Sequence, residues 1–255
     1  MKVVMLSKAL VTGAYQKKLE ELARCGEMDL LAVVPPAWDE PRVGRIHLER
    51  QFTQGYRMEV LPMMLNGQHH LHWYRGLHRL MERERPEVFH IDEESFNLAT
   101  FLAMRAGVAV GARCCFFNWA NNERTYPWPF GWFEAYTLRH AACAITGNQE
   151  AANIVRKHGY TGPVVVLPQF GVDPDLFAPD PDRRFAPADA HTPFIIGYMG
   201  RFVPEKGILD LLTALQGLPP QVQLQLVGSG EFQTTLERQA WRAGLAPRLK
   251  IVPTV

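Results

Sequence analysis

The chain has 255 residues, 47% apolar and 21% charged, a balance that suits globular folding, argues against disorder, and leaves room for one large α/β unit plus part of another. A formal net charge of +1 gives no drive toward non-specific nucleic-acid binding, so no nucleic-acid partner is expected. No apolar stretch approaches the ~20 residues of a membrane span.

The chain opens on a short apolar run, residues 2–7, that reads as a buried first strand and not as a signal peptide, because Ser7, Lys8 and Thr12 follow closely. Residues 15–24 read as a helix with Leu19 and Leu22 on one side, and 29–34 as a second strand closed by Pro35 and Pro36. Residues 38–55 are polar and show no clear period, and 57–61 make another candidate strand. Residues 71–85 have Tyr74, Leu77 and Met81 at helical spacing, with Pro86 as the stop. A strand is expected over 88–92, an apolar helix over 96–106 ended by Gly107, and a β-rich run over 108–117. Then come a helix over 130–140, a strand over 141–146, a helix over 149–158 capped by Gly159, and a short buried strand over 164–167.

This alternation predicts a parallel sheet with helices on both faces. It breaks at FAPDPDRRFAPADAHTP, residues 177–193, which reads as a domain linker. It restarts with a buried strand over 194–199, a helix over 207–215, a strand over 222–227, a helix over 231–243 and a strand from 249. Only two full strand–helix steps follow the linker, and a doubly wound domain normally needs more. The expectation is a second domain that stops partway. The four cysteines, Cys25, Cys114, Cys115 and Cys143, form no C-x-x-C pair. Cys114 and Cys115 should face opposite sides of a strand, so the pattern reads as reduced, buried thiols of a cytosolic protein.

In open α/β sheets ligands collect at the carboxyl ends of the strands. Arg201 and Lys206 follow the 194–199 strand and suit a diphosphate, Arg201 as a planar fork and Lys206 as a mobile charge. Gly200 allows close backbone approach there, and Gly228-Ser229-Gly230 offers a second strand-to-helix turn whose N–H groups can receive phosphate. Gly13 lies in the first such turn, where an ordinary βα turn is the favoured reading. His90, with Asp92, Glu93 and Glu94, ends a strand at the crevice. A core role for His90 and a helix start for the two glutamates compete there with acceptor recognition. Asn118, Asn122 and Glu123 belong to a long loop of amides, aromatics and charges that suits a hydroxylated ligand. His69, His70 and His72 lack a nearby acidic partner and read as solvated residues of a helix start. No metal site is expected, since no Asp-x-Asp pair follows a strand.

Several of these segments together carry a resemblance. VVVLPQFGVDPDLFAP at 164–179, GYMGRFVPEKGILDLLTAL at 197–215, LVGSGE at 226–231, AACAITGNQEAANIVRKHGY at 141–160 and VFHIDEES at 88–95 stand in family order. The chain so resembles family 4 glycosyltransferases of the GT-B fold. That fold implies two Rossmann-like domains with parallel sheets, here an acceptor-side domain over 1–185 and an incomplete nucleotide-sugar-binding domain over 186–255. The resemblance implies transfer of a sugar, with retention, from a nucleotide sugar to a glycan, lipid-linked or small-molecule acceptor. It implies no cofactor beyond the donor, and a cytoplasmic protein at most peripheral on the inner membrane face. Arg201 and Lys206 match the pair that grips the donor diphosphate, Gly13 a glycine near the phosphates, and Asn118 a position where many members carry a histidine. Gln169-Phe170-Gly171 replaces the usual Asn-Gly, and Ser229 stands where Asp is frequent. The alternative is a non-catalytic binding or scaffold protein of the same shape, and a third class is an epimerase. Basic residues at both 201 and 206 favour the enzyme, and a chain that stops early is expected to lack robust turnover by itself.

Overall fold

A computed structural model describes residues 1–41, 44–179 and 193–253. The chain forms two compact units, Met1–Phe177 and Ala178–Val255. Most of the expected linker, and the expected boundary at 185, lie outside the described residues.

The first unit is built on strands β1 (Lys2–Leu6), β2 (Asp29–Val34), β5 (Arg57–Val60), β8 (Val88–Ile91), β9 (Arg113–Asn118), β10 (Cys143–Thr146) and β11 (Val164–Val166). They form one parallel sheet in the order β11-β10-β9-β8-β1-β2-β5. The period-2 alternation of strands divides the side chains between two faces. Val4, Leu6, Leu31, Val33, Phe89 and Ile91 pack with helices α2 (Leu77–Glu84) and α3 (Leu98–Ala109). Val3, Met5, Leu30, Ala32 and Val34 pack on the other face with Leu10 and with Leu19 of α1 (Lys17–Arg24). Helices α4 (Phe130–His140) and α5 (Gln149–Lys157) cover Phe116 and Ala144 with Leu138 and Val155. Each large apolar side chain so buried contributes about 1.5–3 kcal/mol.

The segment that carried no period contains an antiparallel hairpin, β3 (Ala37–Glu40) with β4 (Gly44–His47), outside the main sheet. The helix expected over 71–85 is shorter. Trp73–Tyr74 (β7) pairs instead with Met63–Met64 (β6), and Gly76, at φ +89°, breaks the chain before α2. Tyr74, Leu77 and Met81 all enter one core cluster, which is why they mimic a single helical face. Leu22 is exposed, and only Leu19 of the expected pair is buried.

Gly107 does not stop α3. It lies inside the helix, where a Cβ would run into Cys114 Sγ and the Phe89 ring, so the glycine lets the helix approach the sheet. Gly111, at φ +79°, makes the turn. Of the cysteines, Cys114 is buried and Cys25 is exposed, against the expectation of buried thiols throughout. Strand β11 is an edge strand with Val165 and Val166 exposed, not a buried one.

The second unit holds β12 (Phe194–Met199), α6 (Ile208–Gln216), β13 (Val222–Val227), α7 (Gln233–Arg242) and β14 (Leu249–Val252). Its described strands form a parallel sheet in the order β12-β13-β14. Leu224 and Leu226 pack under Leu212, Leu215, Leu236 and Ala240. Strand β12 was expected to be buried, but as an edge strand it leaves Phe194, Ile195 and Met199 exposed.

Candidate active site

In the second unit, Arg201 leaves the end of β12 and Lys206 closes a short 3-10 turn, Pro204–Lys206, before α6. Both side chains are exposed, and neither makes an ion pair with another described residue. Gly207 follows at φ +64°, a left-handed position that suits glycine. The glycines have a packing reason. A Cβ on Gly228 would strike the Gly200 carbonyl, and one on Gly230 would strike the Phe202 backbone. The loops after β12 and β13 therefore lie backbone against backbone, pinned by Phe202 N–H to Ser229 O at 2.9 Å and Phe232 N–H to Phe202 O at 3.1 Å. Gly200 and Gly228 spend their N–H groups on Val227 O and Val252 O, both at 3.0 Å. They shape the loop that presents Arg201 and Lys206 and do not offer those N–H groups to phosphate.

In the first unit, Gly13 is also occupied. Its N–H donates to Glu49 Oε2 at 2.6 Å, and the 49–51 segment covers its Cα. Buried Gln16 fixes that segment by donating to Glu49 O at 2.7 Å and accepting from Gln51 N–H at 3.2 Å.

The chain winds outward from β1 in one direction, through β2 to β5, and then returns to β8 on the other side of β1. The loops after β1 and β8 therefore diverge, opening the crevice of a topological switch point. Here it is filled by ion pairs. Lys8 Nζ bonds Glu93, which is fully buried, and His72 Nε2 stands 3.5 Å away from the same carboxylate. Burial alone would push the Glu93 carboxyl up, but the Lys8 charge and neighbouring His72 hold it down at about 2. Alongside, Lys18 Nζ is 2.9 Å from Asp92 Oδ2, and Gln169 Nε2 donates to Asp92 Oδ1 at 2.9 Å. Phe170 stacks on Tyr15 at 4.2 Å, with Lys18 over its ring. The Gln169-Phe170 variation thus has partners in the segments that follow the central strands β1 and β8. Nothing in the spacing of Lys8, Lys18 or Gln169 pointed to these contacts.

His90 is not a satisfied core histidine. Its Nε2 is buried without a partner, and burial lowers its pKa. Glu93 and Glu94 do not start a helix, because α3 begins at Leu98 behind Asn97. Glu94 behaves unlike Glu93. Its Oε1 accepts the Trp119 N–H at 3.1 Å while Oε2 is buried without a partner, and burial raises its pKa to about 7. Asn118 is buried at the end of β9. Asn122 is exposed and lines a cavity with Phe96, Asn121, Arg124 and Tyr126. Glu123 turns to Lys157 at 2.7 Å, which lowers its pKa and takes it away from that cavity. Asn118 ends β9 and Asn122 lies in the loop that follows it, while His90 lies on the neighbouring strand β8.

The histidine tract also differs from expectation. His72 is fully buried, His70 lines the cavity, and neither begins a helix. Among the described residues no group of three or more His, Cys, Asp or Glu side chains is placed to hold a metal ion. Among the same residues no helix is long and apolar enough to cross a membrane.

Comparison with known proteins follows this division. A "Glycosyl transferases group 1" family model matches residues 180–255. A GDP-mannose-dependent alpha-(1-6)-phosphatidylinositol monomannoside mannosyltransferase of Mycolicibacterium smegmatis is 31% identical over 131 residues, 46% of this chain and 34% of that protein. The lipopolysaccharide core biosynthesis glycosyltransferase LpsE of Rhizobium meliloti is 30% identical over 113 residues, 44% of this chain and 32% of that protein. The chain thus matches about a third of the length of these curated relatives. Among solved structures, HepE of Anabaena in complex with UDP superposes with a TM-score of 0.68 at 17% identity, covering 100% of this chain and 70% of that one. The apo lipopolysaccharide outer core galactosyltransferase WaaB superposes with a TM-score of 0.62 at 12% identity, covering 100% of this chain and 69% of that one. These likenesses place the two parallel-sheet units in the GT-B fold class. A "Glycosyl transferase 4-like domain" family model matches residues 15–169, more than half of the sequence, and the chain therefore belongs to the glycosyl transferase 4-like family.

Proposed function

We propose that this chain carries the acceptor-side domain, residues 1–185, and part of the nucleotide-sugar-binding domain, residues 186–255, of a retaining GT-B glycosyltransferase. The observation that carries this reading is the Arg201–Lys206 loop. Two exposed cations stand at the carboxyl end of a parallel strand, on a loop whose shape Gly200, Gly228 and Gly230 fix by packing. When the bond between sugar and diphosphate breaks, negative charge grows on the departing nucleotide. Cations already in place stabilise that charge more than they stabilise the ground state. Arg201 supplies a paired hydrogen-bonding fork and Lys206 a point charge. The UDP-bound relative and the GDP-mannose-dependent relative both support a nucleotide-diphosphate donor. Asn118 and Asn122 belong to the acceptor side, and the enzyme works in the cytoplasm, at most peripherally on a membrane.

The test is titration calorimetry of UDP and GDP with the wild-type chain and with Arg201→Ala and Lys206→Ala. Each substitution is expected to weaken binding at least ~10-fold, about 1.4 kcal/mol. Affinities unchanged in both variants would end the clamp reading. The anomeric configuration of the transferred sugar, read by NMR, decides retention.

A further inference from the structure

Between β9 and α4 the chain is held at three points. Trp119 N–H donates to Glu94 at 3.1 Å, Glu123 pairs with Lys157 at 2.7 Å, and Tyr126 stacks on Phe96 at 4.1 Å. These anchors leave a cavity of about 180 Å³ lined by His70, Phe96, Asn121, Asn122, Arg124 and Tyr126. Sites for drug-sized ligands usually start at about 300 Å³, so this one fits a single ring. Its lining is specific in kind. Phe96 and Tyr126 offer aromatic carbon to the C–H surface of a saturated ring. Asn121 and Asn122 each bring an amide donor and an amide acceptor for hydroxyls. His70 Nδ1 lies 3.0 Å from Asn97 Oδ1, a contact that holds the ring against the cavity.

Arg124 adds a charge. Its neighbour Glu123 is committed to Lys157, and Arg124 makes no ion pair with another described residue. A guanidinium fork matches phosphate or carboxylate oxygens in pairs. We propose that this cavity is a subsite for one hydroxylated ring bearing an anionic group, a phosphorylated or carboxylated sugar or cyclitol. As the anionic part of the acceptor, that ring rests on the glycosyltransferase reading above. Glu94 holds the start of the loop that forms the wall by accepting the Trp119 N–H.

Binding is read by titration calorimetry and saturation-transfer NMR on the whole chain. The probes are methyl α-glucoside, glucose 6-phosphate, glucuronate, inositol 1-phosphate and inorganic phosphate. At least one anionic ring is expected to bind ~10-fold or more tighter than methyl α-glucoside and than phosphate alone. Arg124→Gln should erase that preference, and Asn122→Ala should weaken every ring. Equal binding of neutral and anionic rings, equal binding of bare phosphate, or a silent Arg124→Gln overturns the proposal. UDP and GDP titrations of the same samples separate the two readings. Loss of nucleotide binding from the wild-type chain counts against the transferase, while the ring preference alone decides the subsite.

Discussion

Replacing Glu94 by glutamine should remove a pH dependence from the stability of the first unit. In the folded chain the carboxyl is buried and its pKa rises from 4.5 to about 7. Oε1 accepts from Trp119, and Oε2 is buried without a hydrogen-bond donor among the described residues. Between pH 4.5 and about 7 the folded state therefore keeps a proton that the unfolded state has lost. Stability falls with rising pH wherever the folded state binds more protons. The loss begins near pH 4.5 and is complete above about 7. At ~1.4 kcal/mol per pH unit it reaches at most about 3 kcal/mol. Glutamine keeps the shape and an acceptor for Trp119 but cannot ionise. Urea unfolding of wild type and Glu94→Gln, followed by tryptophan fluorescence at pH 5 and pH 8, measures the effect. The variant should be ~2–3 kcal/mol better relative to wild type at pH 8 than at pH 5. Comparing the two pH values cancels the cost of the amide itself and the titration of groups common to both proteins. A difference between the two pH values below ~0.5 kcal/mol would refute the assignment of a buried, protonated Glu94.

Lys8→Met should strand the buried Glu93 charge and cost ~3–5 kcal/mol at neutral pH, with part of the loss recovered in Lys8→Met/Glu93→Gln, read by urea unfolding. Because the Glu93 carboxyl is held down at about 2, its contribution is present above pH 4.5 and fades as pH falls toward 2. Gly107→Ala should destabilise by ~1–3 kcal/mol despite the better helix propensity of alanine, and Cys114→Ala in the same chain should restore most of it. Iodoacetamide at pH 8 should label Cys25 first, since it is exposed while burial raises Cys114 and Cys115 to about 12. Intact mass should show one fast adduct, and rapid loss of three thiols would contradict the burial.

The sequence made the strand–helix rhythm legible because buried parallel strands are short apolar runs between breakers. Residues 29–34 and 222–227 end where β2 and β13 do, and residues 130–140 coincide with α4. It misled where one pattern has two physical causes. Tyr74, Leu77 and Met81 face one core, yet only the last two are helical. Gly107 serves close approach and not termination. The 37–47 hairpin was illegible because its pairing does not depend on an apolar period. At the crevice, Glu93 and Glu94 are neighbours with the same side chain, and only the fold gives one a bonded lysine and leaves Oε2 of the other buried without a hydrogen bond. Gly13, read chiefly as an ordinary βα turn, is covered by the 49–51 segment, a contact that no local spacing reveals.

The ion pairs at the switch point also bear on the order of folding. Lys8 meets Glu93 across 85 residues of chain, and Lys18 meets Asp92 across 74. Contacts of such separation carry a loop-closure cost before they return any stability. During synthesis at ~5–20 residues per second, the first strand and helix would leave the ribosome ~4–17 s before their carboxylates. Over that interval Lys8 and Lys18 lack the carboxylates they pair with in the folded chain. The sheet can close around its centre only once β8, the neighbour of β1, has arrived.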